Sequence, residues 1–178
     1  MSKHVFVLQG SSRADGNSVD LANAFIEGCK AGGHTVVMPP INGKDISGCL
    51  ACDICRRNGG FCNIHDYMYE LYREFQLCEV IAIVTPMYFF MLPAQIKAII
   101  DRLYCFGPDY PKKEVILMCT SFSDEPNVFS PLLDYHDHLV NYLGWEEKGR
   151  ILVQGLSHKG DIKMRPEYQQ AYELGKSL

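Results

Sequence analysis

The sequence predicts an α/β fold in which one parallel sheet of five strands is covered by helices on both faces, and three observations carry that prediction. Strand-like and helix-like patterns alternate five times along 178 residues. Residues 80–84 read Val-Ile-Ala-Ile-Val, apolar on both faces as a central parallel strand must be. Residues 4–9 form another apolar run that opens into Gly10-Ser11-Ser12-Arg13-Ala14-Asp15-Gly16-Asn17-Ser18. An apolar-periodic stretch over 19–29 follows, the pattern of a buried strand feeding a helix.

The remaining elements follow from the same signals. Gly32-Gly33 ends the first helix, residues 34–38 form the second strand, and Pro39-Pro40 closes it. Residues 41–64 read as a loop, with a cysteine-rich part at about 45–64. His65-Asp66 starts a helix with apolar positions at Met68, Leu71, Tyr72 and Phe75. After the third strand, Pro93 sits in the first turn of a helix, where its missing N–H is harmless, and Ile96, Ile99, Ile100 and Leu103 mark the buried stripe. Residues 114–119 give the fourth strand, 128–143 a helix stopped by Gly144, 149–154 the fifth strand and 166–176 a last helix. Right-handed crossovers and strand order 2-1-3-4-5 bring the ends of the first and third strands to the switch point, where such sheets bind ligands.

Composition excludes several partner classes. With 17 Lys and Arg against 21 Asp and Glu, the net charge of −4 offers nucleic acid no basic footprint. No apolar stretch reaches the length of a membrane span, and Met1-Ser2-Lys3 leads directly into a strand, so a cytoplasmic protein without a membrane partner is expected. The length suits one domain over 1–178. Eight cysteines in a reducing compartment then need a purpose other than disulfides. Cys29, Cys78, Cys105 and Cys119, scattered on apolar faces, read as small core hydrophobes. His136 and His138, two apart on a helix, share no face and read as surface or structural.

Two loops carry the candidate chemistry. In the first, the hydroxyls of Ser11, Ser12 and Ser18, the Asn17 amide and the Arg13 guanidinium crowd a helix N-terminus, where unpaired N–H groups favour an anion. Neither G-x-G-x-x-G nor G-x-x-x-x-G-K-[ST] is present, which leaves a single terminal phosphate as the better fit. The plainer reading makes these residues ordinary turn formers, with Asn17 or Ser18 as the N-cap. In the second loop Pro86 precedes Met87, Tyr88, Phe89 and Phe90, and consecutive aromatics cannot all face inward from a strand. They form either a lid or subunit contact, or a wall for a flat conjugated ring. A phosphate grip beside a ring wall points to flavin mononucleotide (FMN).

Cys49, Cys52, Cys55 and Cys62 form C-x2-C-x2-C-x6-C, for which three readings stand. They ligate a [4Fe–4S] cluster, with Gly59-Gly60 folding the chain back; they bind tetrahedral zinc; or they remain thiols with a redox-active pair such as Cys52 and Cys55.

On these residues the chain resembles the flavodoxin-like NADPH-dependent FMN reductase family, and within it the iron–sulfur flavoprotein branch. Gly10-Ser11-Ser12-Arg13 with Asn17-Ser18 is similar to the family's phosphate loop, and Thr85-Pro86-Met87-Tyr88 to its ring-contacting loop. Lys97 with Asp101-Arg102 is similar to the helix that follows, and Gly48-Cys49-x-x-Cys52-x-x-Cys55 before Cys62 matches that branch's compact cysteine motif. Ala51 departs from the glycine of many relatives, and the likeness runs from residue 5 to about 104. The resemblance implies a three-layer sandwich, bound FMN reduced by NAD(P)H, and electrons passed to a quinone, flavin, metal ion or protein acceptor. It implies cofactor contacts from Ser11, Ser12, Arg13, Asn17, Ser18, Pro86, Met87, Tyr88, Phe89 and Ser121, with the four clustered cysteines as metal ligands. No catalytic acid or base is assigned, because the flavin performs the chemistry.

Two other classes remain open: a flavodoxin-like or iron–sulfur-flavin electron carrier without its own nicotinamide site, and a flavin-binding regulatory protein. The mild charge of −4 leans towards the enzyme, since a carrier docks through a strongly acidic surface. The apolar run at 87–92 beside the flavin predicts a homodimer or homotetramer.

Overall fold

The computed structural model of the protein describes residues 1–107 and 110–178. The apolar runs form β1 (His4–Gln9), β2 (Thr35–Val37), β3 (Val80–Pro86), β4 (Glu114–Thr120) and β5 (Glu146–Val153), paired in parallel in the order β2-β1-β3-β4-β5. This is the expected flavodoxin-like order. The helices are α1 (Asn17–Ala31), α2 (Ile54–Arg57), α3 (Met68–Leu77), α4 (Ala94–Arg102), α5 (Ser130–Leu143) and α6 (Pro166–Lys176).

Strand alternation divides the core in two. Val5, Val7, Val80, Ala82, Val84, Ile116 and Met118 face α1 and α6, while Phe6, Leu8, Ile81, Ile83, Leu117 and Cys119 face α3, α4 and α5. The α1–α6 crossing is close because glycines stand at it. A Cβ on Gly28 would overlap the Tyr172 carbonyl oxygen, and one on Gly175 the Phe25 carbonyl oxygen. That crossing fixes α1, whose N-terminus forms one side of the site.

Element boundaries shift for identifiable reasons. The first helix begins at Asn17, two residues before its apolar period, with Gly16 as an extended N-cap and no capping side chain, so neither Asn17 nor Ser18 is the cap. The helix expected from His65-Asp66 begins at Met68, because the Asp66 carboxylate instead accepts the Met68 N–H at 3.1 Å. The fifth strand starts at Glu146, three residues earlier than expected, since an edge strand tolerates the charged Glu146-Glu147-Lys148. Within the segment expected to be loop, residues 54–57 close one short helix. No helix among the described residues is long and apolar enough to cross a membrane.

Candidate functional site

Parallel register aligns the carboxyl ends of β1, β3, β4 and β5 at one rim. Gln9 pairs with Val84, and the Gly10 N–H donates to the Val84 carbonyl at 2.9 Å. The Met87 N–H donates to the Thr120 carbonyl at 2.8 Å, and the Ser121 N–H to the Val153 carbonyl at 2.8 Å. Between the four emerging loops lies a cleft of about 380 Å³.

Eight of the ten expected cofactor residues line that cleft: Ser11, Arg13, Asn17 and Ser18 on one side, Pro86, Met87 and Tyr88 on another, and Ser121 on a third. Ser12 and Phe89 lie elsewhere. Ser12 borders a small separate hollow, where its carbonyl accepts the Asn42 side-chain amide at 3.0 Å, and Phe89 stands 98% exposed at a turn tip.

The polar side of the cleft suits an anion. An N-terminal helical turn leaves N–H groups without intrahelical acceptors, and no side chain caps α1, so the Asn17 and Ser18 N–H groups face the cleft end of the helix dipole. The Ser18 hydroxyl is buried and the Arg13 guanidinium enters no hydrogen bond or ion pair among the described residues. Two neighbours are already committed. The Ser11 hydroxyl donates to the Arg13 carbonyl at 3.2 Å and accepts the Arg13 N–H at 3.0 Å, shaping the loop itself. The Asn17 side chain donates to the His158 carbonyl at 2.8 Å and accepts the Ile162 N–H at 3.2 Å, so it brackets the loop after β5 instead of projecting at a ligand.

That last loop is the part the sequence did not announce. Leu156, Ser157, His158 and Lys159 line the cleft together with Thr120 and Phe122. Lys159 reaches Asp15 at 2.6 Å across the mouth, and this hydrogen bond holds the Asp15 carboxyl below its ordinary range. Nothing in their residue types singles these positions out, and their place is set by contacts with distant segments, Asn17 and the Ser121 carbonyl among them.

The apolar wall is built on strain. Tyr88 and Met91 exchange backbone hydrogen bonds at 2.9 and 3.0 Å, with Phe89 and Phe90 as the two central residues at φ 47° and 64°. Both adopt the left-handed region that ordinarily selects glycine or asparagine, which turns the aromatic rings out beside the cleft. Tyr88 remains 43% exposed at its edge.

An uncapped helix end with an unpaired guanidinium, next to aromatic and thioether surface, fits a phosphate monoester that carries a planar ring. FMN has that shape, and about 380 Å³ lies within the roughly 300–1,000 Å³ of ligand pockets.

The cysteine motif does not pass the corresponding test. Cys49 and Cys52 are exposed, Cys55 is buried and Cys62 is half-buried. No group of three or more His, Cys, Asp or Glu among the described residues is gathered to hold a metal ion. What the structure does gather is the base of the loop. The buried Arg102 guanidinium donates to the Ser47 carbonyl at 2.9 Å, the Ile64 carbonyl at 3.2 Å and both Asp66 carboxylate oxygens at 2.8 and 3.2 Å. The cysteine loop is thus pinned at both ends to the end of α4. Cys105, expected to be a core residue, is buried there beside Cys62 and Cys55, and burial pushes its thiol up to about 11.

Comparisons with known proteins agree with this geometry. A family model described as NADPH-dependent FMN reductase matches residues 4–127. An iron–sulfur flavoprotein of Methanosarcina thermophila is 33% identical over 95 residues, which are 53% of this chain and 49% of that protein. The chain therefore spans about half the length of that relative. A Bacillus subtilis protein assigned by name to the NAD(P)H-dependent FMN-containing oxidoreductases is 24% identical over 168 residues, 89% of this chain and 88% of its own. Among solved structures, an NAD(P)H:quinone oxidoreductase from Methanothermobacter marburgensis superposes with a TM-score of 0.80 at 16% identity, covering 99% of this chain and 96% of that one, a likeness of fold.

Proposed function

The chain belongs to the NADPH-dependent FMN reductase family, and from that membership we propose that it binds FMN in the rim cleft and reduces it with NAD(P)H. The acceptor class is a quinone, a free flavin, a metal ion or an electron-transfer protein, in line with the quinone chemistry in the name of its structural neighbour. The observation that carries this reading is the shared cleft of Arg13 and Tyr88, which come from loops after different strands.

When bound, FMN supplies hydride acceptance from a nicotinamide and onward transfer of electrons. The protein's part is positional. Arg13, the buried Ser18 hydroxyl and the first-turn N–H groups of α1 hold the phosphate, while Met87 and Tyr88 back one face of the ring and Ser121 closes the far side. Ser11 and Asn17 act one step removed, by shaping the phosphate loop and by anchoring the loop that carries His158 and Lys159. Ser12 and Phe89 are not assigned to the cofactor in this reading. Exposed Phe89 and Phe90 instead support a subunit contact, so a homodimer covering the turn tip is proposed. Sedimentation that finds only monomer at micromolar protein overturns that part.

The four clustered cysteines are left out of the electron path, because among the described residues only Cys55 and Cys62 of the four come together, beside Cys105, and no group of three or more potential ligands forms. Iron and acid-labile sulfide near four equivalents each in anaerobically prepared protein would restore a [4Fe–4S] assignment.

The test of the main reading is anaerobic mixing of FMN-loaded protein with NADH or NADPH while the flavin absorbance is followed. Rapid bleaching is expected. Flavin that stays oxidised with both nucleotides, yet accepts electrons from a reductase protein, replaces the enzyme with a carrier.

A further inference from the structure

A second cavity, of about 300 Å³, lies away from the flavin cleft, between α3, the cysteine loop and the short helical turn Leu103–Phe106. Cys62 and Cys105 both line it, with Phe61, Tyr69, Tyr72 and Phe106 as aromatic walls. Four contacts tie together the chain segments that carry the two cysteines. The Tyr69 hydroxyl donates to the Cys62 carbonyl at 2.8 Å, and one turn on, the Tyr72 hydroxyl donates to the Arg102 carbonyl at 3.1 Å. Arg102, three residues before Cys105, donates to the carbonyl of Ile64, two residues after Cys62. Gly60 approaches so closely that a Cβ there would lie 3.1 Å from the Cys105 carbonyl oxygen. Of the other motif cysteines, Cys49 and Cys52 are exposed, Cys55 is buried beside Cys105, and none of the three lines this cavity.

We propose that Cys62 and Cys105 form a dithiol site for low-molecular-weight disulfides, with the cavity between them receiving the small thiol. Cys62, the more accessible of the two, attacks one sulfur of the disulfide RSSR, forming a Cys62–SR bond and expelling RS⁻. Cys105 then attacks the Cys62 sulfur, breaking the Cys62–SR bond and expelling the second RS⁻. Two protein thiols are oxidised to one disulfide, RSSR is reduced to two RSH, and the two thiol protons end on the departing thiolates. The resulting link staples the cysteine loop to the end of α4.

The test uses anaerobically purified full-length protein treated with oxidised glutathione, followed by non-reducing digestion with mass spectrometry and by thiol titration. The expected result is a peptide pair joined through Cys62 and Cys105 and the loss of two titratable thiols. In Cys105→Ser, Cys62 should instead stop as a stable glutathione adduct. Cys119→Ser, a buried cysteine outside the cavity, should behave as wild type and controls for the fold. Links confined to Cys49, Cys52 and Cys55 overturn the proposal. So does an unreactive Cys62, or a glutathione adduct as persistent in the wild type as in Cys105→Ser. Retention of FMN in every variant keeps these outcomes separate from the fate of the flavin assignment.

Discussion

Arg102 and Asp66 meet at 2.8 Å with side chains only 1% and 2% exposed, and the pair stands directly beneath the cysteine loop. Burial alone would raise the Asp66 carboxyl, but hydrogen bonds from Arg102 and from the Ser47 and Met68 N–H groups outweigh it and hold the group ionised below its ordinary range. Removing the guanidinium leaves a buried carboxylate without its counter-charge. Arg102→Met should therefore lose about 3–5 kcal/mol of stability, and Arg102→Lys most of that, since one ammonium cannot reach Ser47, Ile64 and both carboxylate oxygens. Urea unfolding at pH 7 measures it. Adding Asp66→Asn to Arg102→Met should recover part of the loss, because the two changes share one interaction.

A second stability prediction concerns the crossing of α1 and α6. Gly28→Ala drives a methyl into the Tyr172 carbonyl, which is backbone and yields only if the helices separate. A loss of about 1–3 kcal/mol is expected from the overpacking. Gly43→Ala offers the contrast. Its Cβ meets nothing within 4 Å, so any loss there comes from its φ of 72° and not from crowding. Thermal unfolding of the two variants separates packing from backbone strain.

What the sequence made legible follows from how far each signal reaches along the chain. The strands at residues 80–84 and 114–119 are buried on both faces, so their composition alone declares them, and the switch point follows from topology. The loops at Gly10–Ser18 and Thr85–Tyr88 combine residue types that chemistry recognises, and they do line one cleft. What lay beyond the sequence is tertiary. Asn17 has the composition of a ligand, yet its amide is engaged by backbone groups some 140 residues later, and that bracket holds Leu156 to Lys159 at the cleft together with the Leu156 N–H bond to the Ser121 carbonyl. Cys105 is a buried core thiol, as its neighbours in sequence suggest, but that it shares a cavity with Cys62 follows from contacts between distant segments, among them Arg102 to the Ile64 carbonyl and Gly60 against the Cys105 carbonyl.

His136 supplies a pH dependence with a definite sign. It is 3% exposed, its Nε2 lies 3.4 Å from the Glu147 carboxylate without the alignment of a hydrogen bond, and Arg150 and Asp137 complete its charged surroundings. Burial, the largest influence, lowers its pKa in the folded state below the ordinary value. Between the lowered pKa and about 6.5 the unfolded chain binds the proton that the folded one does not, so this contribution is fully present above pH ~6.5 and fades as the pH falls through the folded value. Urea midpoints measured from pH 8 down to 5 should decline across that window. In His136→Gln the slope should flatten. An unchanged slope would mean that some other group titrates.

The flavin assignment makes its strongest demand on Arg13, because among the described residues its guanidinium has no partner and is the one charge the phosphate side of the cleft offers without first breaking an ion pair. Lys159, the other cation on the lining, is spent on Asp15. A charge-assisted hydrogen bond to phosphate is worth about 1.5–3 kcal/mol, so Arg13→Gln should weaken FMN binding by roughly 10- to 150-fold in Kd. Riboflavin, which has the same ring and no phosphate, should bind wild type and Arg13→Gln equally. Tyr88→Ala should produce the complementary pattern, weakening FMN and riboflavin by a similar factor, because it removes ring contact and leaves the anion site intact. Flavin-fluorescence titrations of both ligands against the three proteins read all six constants. Equal weakening of FMN and riboflavin by Arg13→Gln would mean that the arginine props the loop and that the phosphate lies elsewhere.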